Sequence, residues 1–127
     1  MTIIGLALIG LAALVHVYIF WMESFGWTSA RVRATFGTSA EEAEATRELA
    51  YNQGFYNLFL AITVGVGIAF FAAGRHDVGS ALALTGAGSM VAASLVLFAS
   101  SPDKRGAALK QGLVPLVGII ALVIGLL

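Results

Sequence analysis

The sequence predicts an all-α protein: a four-helix transmembrane bundle, both termini extracytoplasmic, with the second helix extended into the cytoplasm. Three observations predict this. Of 127 residues, 59% are hydrophobic and only 11% charged. A soluble domain carries roughly 25% charged residues, and a chain this short has too much surface to hide so much apolar material. Four apolar stretches reach the roughly 20 residues that a helix needs to cross a bilayer. Finally, the basic residues collect in two of the three connections.

The spans fall at about 2–22, 49–73, 78–100 and 107–127, with connections 23–48, 74–77 and 101–106, all within a single integral membrane domain over 1–127. The first span is interrupted only by His16. Signal peptides begin with basic residues and end in a small-residue cleavage site. Here no Lys or Arg precedes the apolar run, which ends in Tyr18-Ile19-Phe20-Trp21. Such aromatics suit an interfacial belt, so the helix is expected to stay uncleaved. Connection 23–48 holds Arg31, Arg33 and Arg47, and segment 101–110 holds Lys104, Arg105 and Lys110, whereas the middle turn holds only Arg75. The positive-inside rule makes the richer side cytoplasmic and places the protein in the cell inner (plasma) membrane as a multi-pass protein.

Within the long connection, Ser39-Ala40-Glu41-Glu42 fits a capping box, the serine at the cap and Glu42 three residues on. Glu41, Glu42 and Glu44 suit the positive end of a helix dipole. The second helix is therefore expected to start near Ala40 and run unbroken to Ala73. Thr28 to Gly37 reads as a short interfacial helix. In the third span Gly79, Ala83 and Ala87 recur every four residues, as do Gly88 and Ala92. Small residues let helix backbones approach closely, so this span is expected to be the most enclosed; a homo-oligomer interface is the rival reading. Pro115 is expected to bend the fourth span or release a carbonyl.

Composition also excludes chemistry. Net charge is zero and there is no basic stripe, so nucleic acid is not a partner. No cysteine means no disulfide, thiolate metal site or thiol nucleophile, and two histidines cannot form an all-histidine metal centre. No metal and no cofactor is expected, and no catalytic residue is identified.

Polar residues do enter the spans. His16 lies roughly 9 Å inside the first span, counted from Met22 at 1.5 Å per residue, and Glu23 follows seven residues on, on nearly the same face. Asn52 and Tyr56 share a face of the second helix, continued by Thr63, while Gln53 and Asn57 form the neighbouring row. Ser94 and Gln111 sit near the inner ends of the third and fourth spans. In hydrocarbon an unpaired polar group costs several kcal/mol. These groups are expected to face each other or a watery recess, so His16, Glu23, Asn52, Gln53, Tyr56, Asn57 and Gln111 are the candidate ligand-binding residues. Interhelical hydrogen bonding that merely holds the bundle together is the alternative. Arg47 and Glu48 read as exposed charges, Arg47 being long enough to reach Glu23; Phe25, Trp27 and Tyr51 read as belt residues.

The stretches "HVYIFWMESFGW" (16–27), "NQGFYNLFLA" (52–61) and "KQGLVPLVG" (110–118) together resemble a family of small bacterial four-span membrane proteins, domain-of-unknown-function family thirteen-oh-four. The likeness covers nearly the whole chain. It implies fold and location, with shared polar positions at His16, Glu23, Asn52, Gln53, Asn57 and Gln111. "RELAYNQGFYN" is also similar in flavour to the second helix of the MAPEG proteins, membrane-bound eicosanoid and glutathione enzymes, although the Glu that follows the Asn in that pattern is absent after Asn57.

The leading functional expectation is a protein that binds or moves a small polar or amphipathic molecule, or a lipid headgroup, through a cytoplasm-facing polar pocket. Its partners would be the lipid bilayer, a small-molecule or lipid ligand and a second copy of itself. The alternatives are a membrane-surface enzyme using His16 as general base, since histidine titrates near neutrality; a small exporter coupling protons through His16; and a structural subunit of a larger membrane complex.

Overall fold

In a computed structural model, which describes residues 1–127, the chain is helix and connection throughout, without a strand. Six α-helices follow one another: α1 (Thr2–Ser24), α2 (Ala30–Phe36), α3 (Ala40–Ala45), α4 (Arg47–Ala72), α5 (His76–Ser100) and α6 (Arg105–Leu126), the last preceded by one 3₁₀ turn at Pro102–Lys104. The four long helices have mean hydropathies between 1.9 and 2.5, and each is long and apolar enough to cross a membrane. Side chains such as Ile3, Leu14, Leu95 and Val96 are more than 60% exposed. Each would forfeit about 1.5–3 kcal/mol by facing water. The chain is a multi-pass membrane protein, a setting in which such groups need not face water.

The residues form two compact units, Met1–Leu14 with Leu60–Leu127, and Val15–Phe59. The first unit is the four-helix bundle, drawn from α1, α4, α5 and α6. Its core is Ile9, Val64, Met90 and Leu122, all fully buried, among Ala12, Ala61, Ala83 and Ala87. Half of these are alanines, because backbones approach closely. A Cβ placed on Gly67 would fall 2.6 Å from the Ala83 nitrogen and 2.9 Å from the Gly79 carbonyl, closing α4 onto α5; one on Gly118 would fall 3.0 Å from the Ile9 nitrogen, closing α6 onto α1. In lipid, association rests on such packing rather than on expelling water.

Of the two small-residue rows in α5, one is used. Gly79, Ala83 and Ala87 are buried, whereas Gly88 has nothing within 4 Å of its would-be side chain and Ala92 is exposed. Nor is α5 more enclosed than its neighbour: 28% of its apolar window is buried, against 33% for the α6 segment. Glycines in α6 and in other helices share the task. Pro115, buried inside α6, does not end that helix. Between α4 and α5 the chain reverses at Gly74, at φ +82°, where the Arg75 N–H donates to the Phe70 carbonyl and the Gly74 N–H to that of Phe71. This is a Schellman closure, which needs a left-handed residue at that position.

The second unit contains α2, α3, the end of α1 and the start of α4. Ser29 caps α2 by accepting from the Val32 N–H, and Gly37 ends it at φ +66°. The capping box of α3 forms as expected: Ser39 accepts from the Glu42 N–H at 3.1 Å and Glu42 from the Ser39 N–H at 3.0 Å. The helix begun there does not run unbroken to Ala73. It stops at Ala45, and α4 restarts at Arg47. The cause is Thr46: its hydroxyl donates back to the Glu42 carbonyl at 2.7 Å and accepts the Trp27 indole N–H at 3.1 Å. A threonine bonded to the preceding turn bends a helix, and here an indole holds it in place.

A candidate ligand cleft between α1 and α4

Within the second unit the end of α1 lies against the start of α4 because α4 presents small residues there. Ala50, Gly54 and Asn57 are its buried positions. A Cβ on Gly54 would meet the Phe20 carbonyl at 3.0 Å and the Ser24 nitrogen at 3.1 Å, as well as the Ser24 hydroxyl. Two hydrogen bonds fasten this seam. The Ser24 hydroxyl donates to the Tyr51 carbonyl at 2.9 Å, and the Asn57 amide donates to Glu23 Oε2 at 2.8 Å. The same amide nitrogen reaches the Gln53 carbonyl at 3.3 Å. Edge-on aromatic contacts, Phe20 with Phe55 at 5.0 Å and Phe25 with Tyr51 at 6.2 Å, continue it.

The seven candidate residues therefore have different surroundings. His16 is 1% exposed and Asn57 8%, Glu23 is half-buried, and Asn52, Gln53 and Tyr56 are exposed. Glu23 and Asn57 are brought together; Gln111 is half-buried on α6 in the other unit. The helical period explains the division along α4. Positions 50, 54 and 57 share a face, and position 52 stands two residues, about 200°, from both 50 and 54. No buried side-chain nitrogen or oxygen lacks a hydrogen-bond partner, and no three His, Asp or Glu side chains gather as metal ligands would.

Beside the seam opens a cleft of about 710 Å³. None of the seven residues lines it. One wall is Ser24, Phe25, Trp27 and Thr28, after the end of α1; the other is Glu44, Arg47, Glu48 and Tyr51, across the Thr46 bend. Its volume lies within the roughly 300–1,000 Å³ of small-molecule sites. The bend is what opens it, since Trp27 on one wall is tied to Thr46 between the residues of the other. Arg47, which from the sequence could extend to Glu23, pairs instead with Glu44 at 3.5 Å. That pair is exposed, hence worth only about 0–1 kcal/mol, and readily exchanged for a ligand. In the sequence these charges and rings read as separate surface features. The sequence signal is the rings within 24–28 and the charges within 44–48, joined by a threonine four residues beyond Glu42 of the capping box.

No curated protein and no solved structure matches the chain. Residues 10–123 match the family described as "protein of unknown function (DUF1304)". With four helices able to cross a membrane and a match over most of its length, the protein belongs to that family.

Proposed function

We propose that this protein binds a small polar or amphipathic molecule, or a lipid headgroup, in the cleft between Ser24–Thr28 and Glu44–Tyr51, and holds or moves it at the inner face of the plasma membrane. The observation that supports this is the cleft itself: rings, hydroxyls and charges of both signs converge on one volume large enough for a ligand. Its place on the cytoplasmic side is supported by the basic residues, six in segments 23–48 and 101–110 against Arg75 alone in the middle turn. The Glu23–Asn57 and Ser24–Tyr51 bonds serve as the frame that keeps the walls apart at a fixed spacing.

The test is a thermal-shift screen of purified protein against metabolites and soluble lipid headgroups. A ligand present at about 100 times its dissociation constant stabilises the folded state by about 2.7 kcal/mol. A hit should raise the melting temperature of the wild type and leave the Arg47→Ala/Glu48→Ala variant unmoved. Absence of any hit, or hits that shift wild type and variant alike, overturns the proposal.

A further inference from the structure

We infer that the cleft's ligand is a phosphate–ammonium zwitterion, the chemistry shared by a zwitterionic phospholipid headgroup and its soluble phosphoester; this rests on the cleft being a binding site. The wall from α3 and α4 offers charges in the order Glu44, Arg47, Glu48, acid, base, acid. A simple anion would meet two carboxylates, and a simple cation would meet the guanidinium. A ligand carrying both charges a few bonds apart satisfies all three. The Arg47 guanidinium has five donors in a fixed fork suited to phosphate oxygens, and only an exposed contact with Glu44, at 3.5 Å, to give up.

Aromatic rings supply what an ammonium group prefers. Phe25 and Trp27 line the opposite wall and Tyr51 the same wall as Arg47, and ring faces attract a cation within about 6 Å. The rings are held rather than loose. Trp27 donates to Thr46, which is itself bonded to Glu42, and packs at 5.0 Å against Phe36; Phe25 stands edge-on to Tyr51. Ser24 and Thr28 line the same side as Phe25 and Trp27. Aromatic rings on both walls, with two carboxylates flanking one guanidinium, fit a phosphocholine- or phosphoethanolamine-type group and fit neither end alone.

Fluorescence gives the test, because Trp27 lines the cleft and the only other tryptophan, Trp21, is exposed and stacked on Tyr18. In a Trp21→Phe background and a maltoside detergent, phosphocholine should change Trp27 emission saturably. Inorganic phosphate and tetramethylammonium, each alone, should bind about tenfold more weakly or worse, as should phosphocholine to Arg47→Ala or Glu48→Ala. Both variants alter exposed side chains, so the fold is retained; Arg47→Lys should recover part of the binding. Nanodiscs separate the sources. If the lipid is the occupant, phosphatidylcholine discs abolish the response to added phosphocholine and phosphatidylglycerol discs preserve it. If the soluble ester is the occupant, it acts equally in both. Binding of tetramethylammonium or phosphate as tight as that of phosphocholine overturns the zwitterion while leaving the cleft a binding site. Phosphocholine binding unchanged in both variants, or no response to any of the three probes, also overturns it. Whether the cleft binds anything at all is decided separately by the thermal-shift screen.

Discussion

Gly54→Ala probes the seam that frames the cleft. The new methyl group would meet the Ser24 hydroxyl, the Phe20 carbonyl at 3.0 Å and the Ser24 nitrogen at 3.1 Å. The hydroxyl can rotate away, but only by giving up its bond to the Tyr51 carbonyl, and the two backbone atoms belong to a helix and cannot. Overpacking of this kind costs about 1–3 kcal/mol, and a lost interhelical hydrogen bond in a membrane protein adds about 0.6 kcal/mol. Against this stands the gain of about 0.8–1 kcal/mol from replacing glycine by alanine inside a helix. The net expectation is a loss of about 1–3 kcal/mol. Gly65 supplies the control: it lies in the same helix, is exposed, and has nothing within 4 Å of its would-be Cβ. Gly65→Ala should be neutral or stabilising by up to about 1 kcal/mol. Adding Ser24→Ala to Gly54→Ala should recover part of the loss by removing the side-chain clash. The measurement is the unfolding midpoint of purified protein in detergent, followed by circular dichroism, alongside the Trp27 response to ligand. A Gly54→Ala protein as stable as Gly65→Ala would refute the close approach of α1 and α4 and the frame built on it.

Two further predictions follow from the same reasoning. Asn57→Leu removes the donor to Glu23 and leaves a half-buried carboxyl group without its partner, which should cost about 1–3 kcal/mol, whereas Asn52→Leu, on the exposed face of the same helix, should change stability by no more than about 0.5 kcal/mol; equal effects in a denaturant titration would contradict the division of the α4 faces. In α5, Gly79→Ala drives a methyl group to within 2.7 Å of Phe71 Cα, while Gly88→Ala meets nothing. Only the first should lower the thermal midpoint, and a Gly88→Ala variant that melts early would mean that this row is covered.

Much was legible in the sequence because single elements are governed by local rules. The four apolar helices follow from length and hydropathy, α3 from Ser39 and Glu42, and the kinship with a family of unknown function from three motifs in order. His16 and Glu23 share a face of α1 simply because they lie seven residues apart. Along α4, the buried row Ala50–Gly54–Asn57 follows the helical period as well as the polar row Asn52–Tyr56 does; in lipid, small size marks a packing face where hydrophobicity does not.

What the sequence by itself determined is therefore the list of helices, their caps and their fitness for a bilayer, all set within a turn or two of chain. Only the tertiary structure decided that Asn57 takes Glu23 as its partner while its neighbours point outward, that Arg47 pairs with Glu44, and that Trp27 is pinned to Thr46 across 19 residues. The cleft exists because a bend at Thr46 and a close approach at Gly54 bring two distant stretches face to face. Thr46 leaves no periodic trace in the chain, and the row through Gly54 marks a packing face without naming its partner, because each contact depends on which residues meet in space.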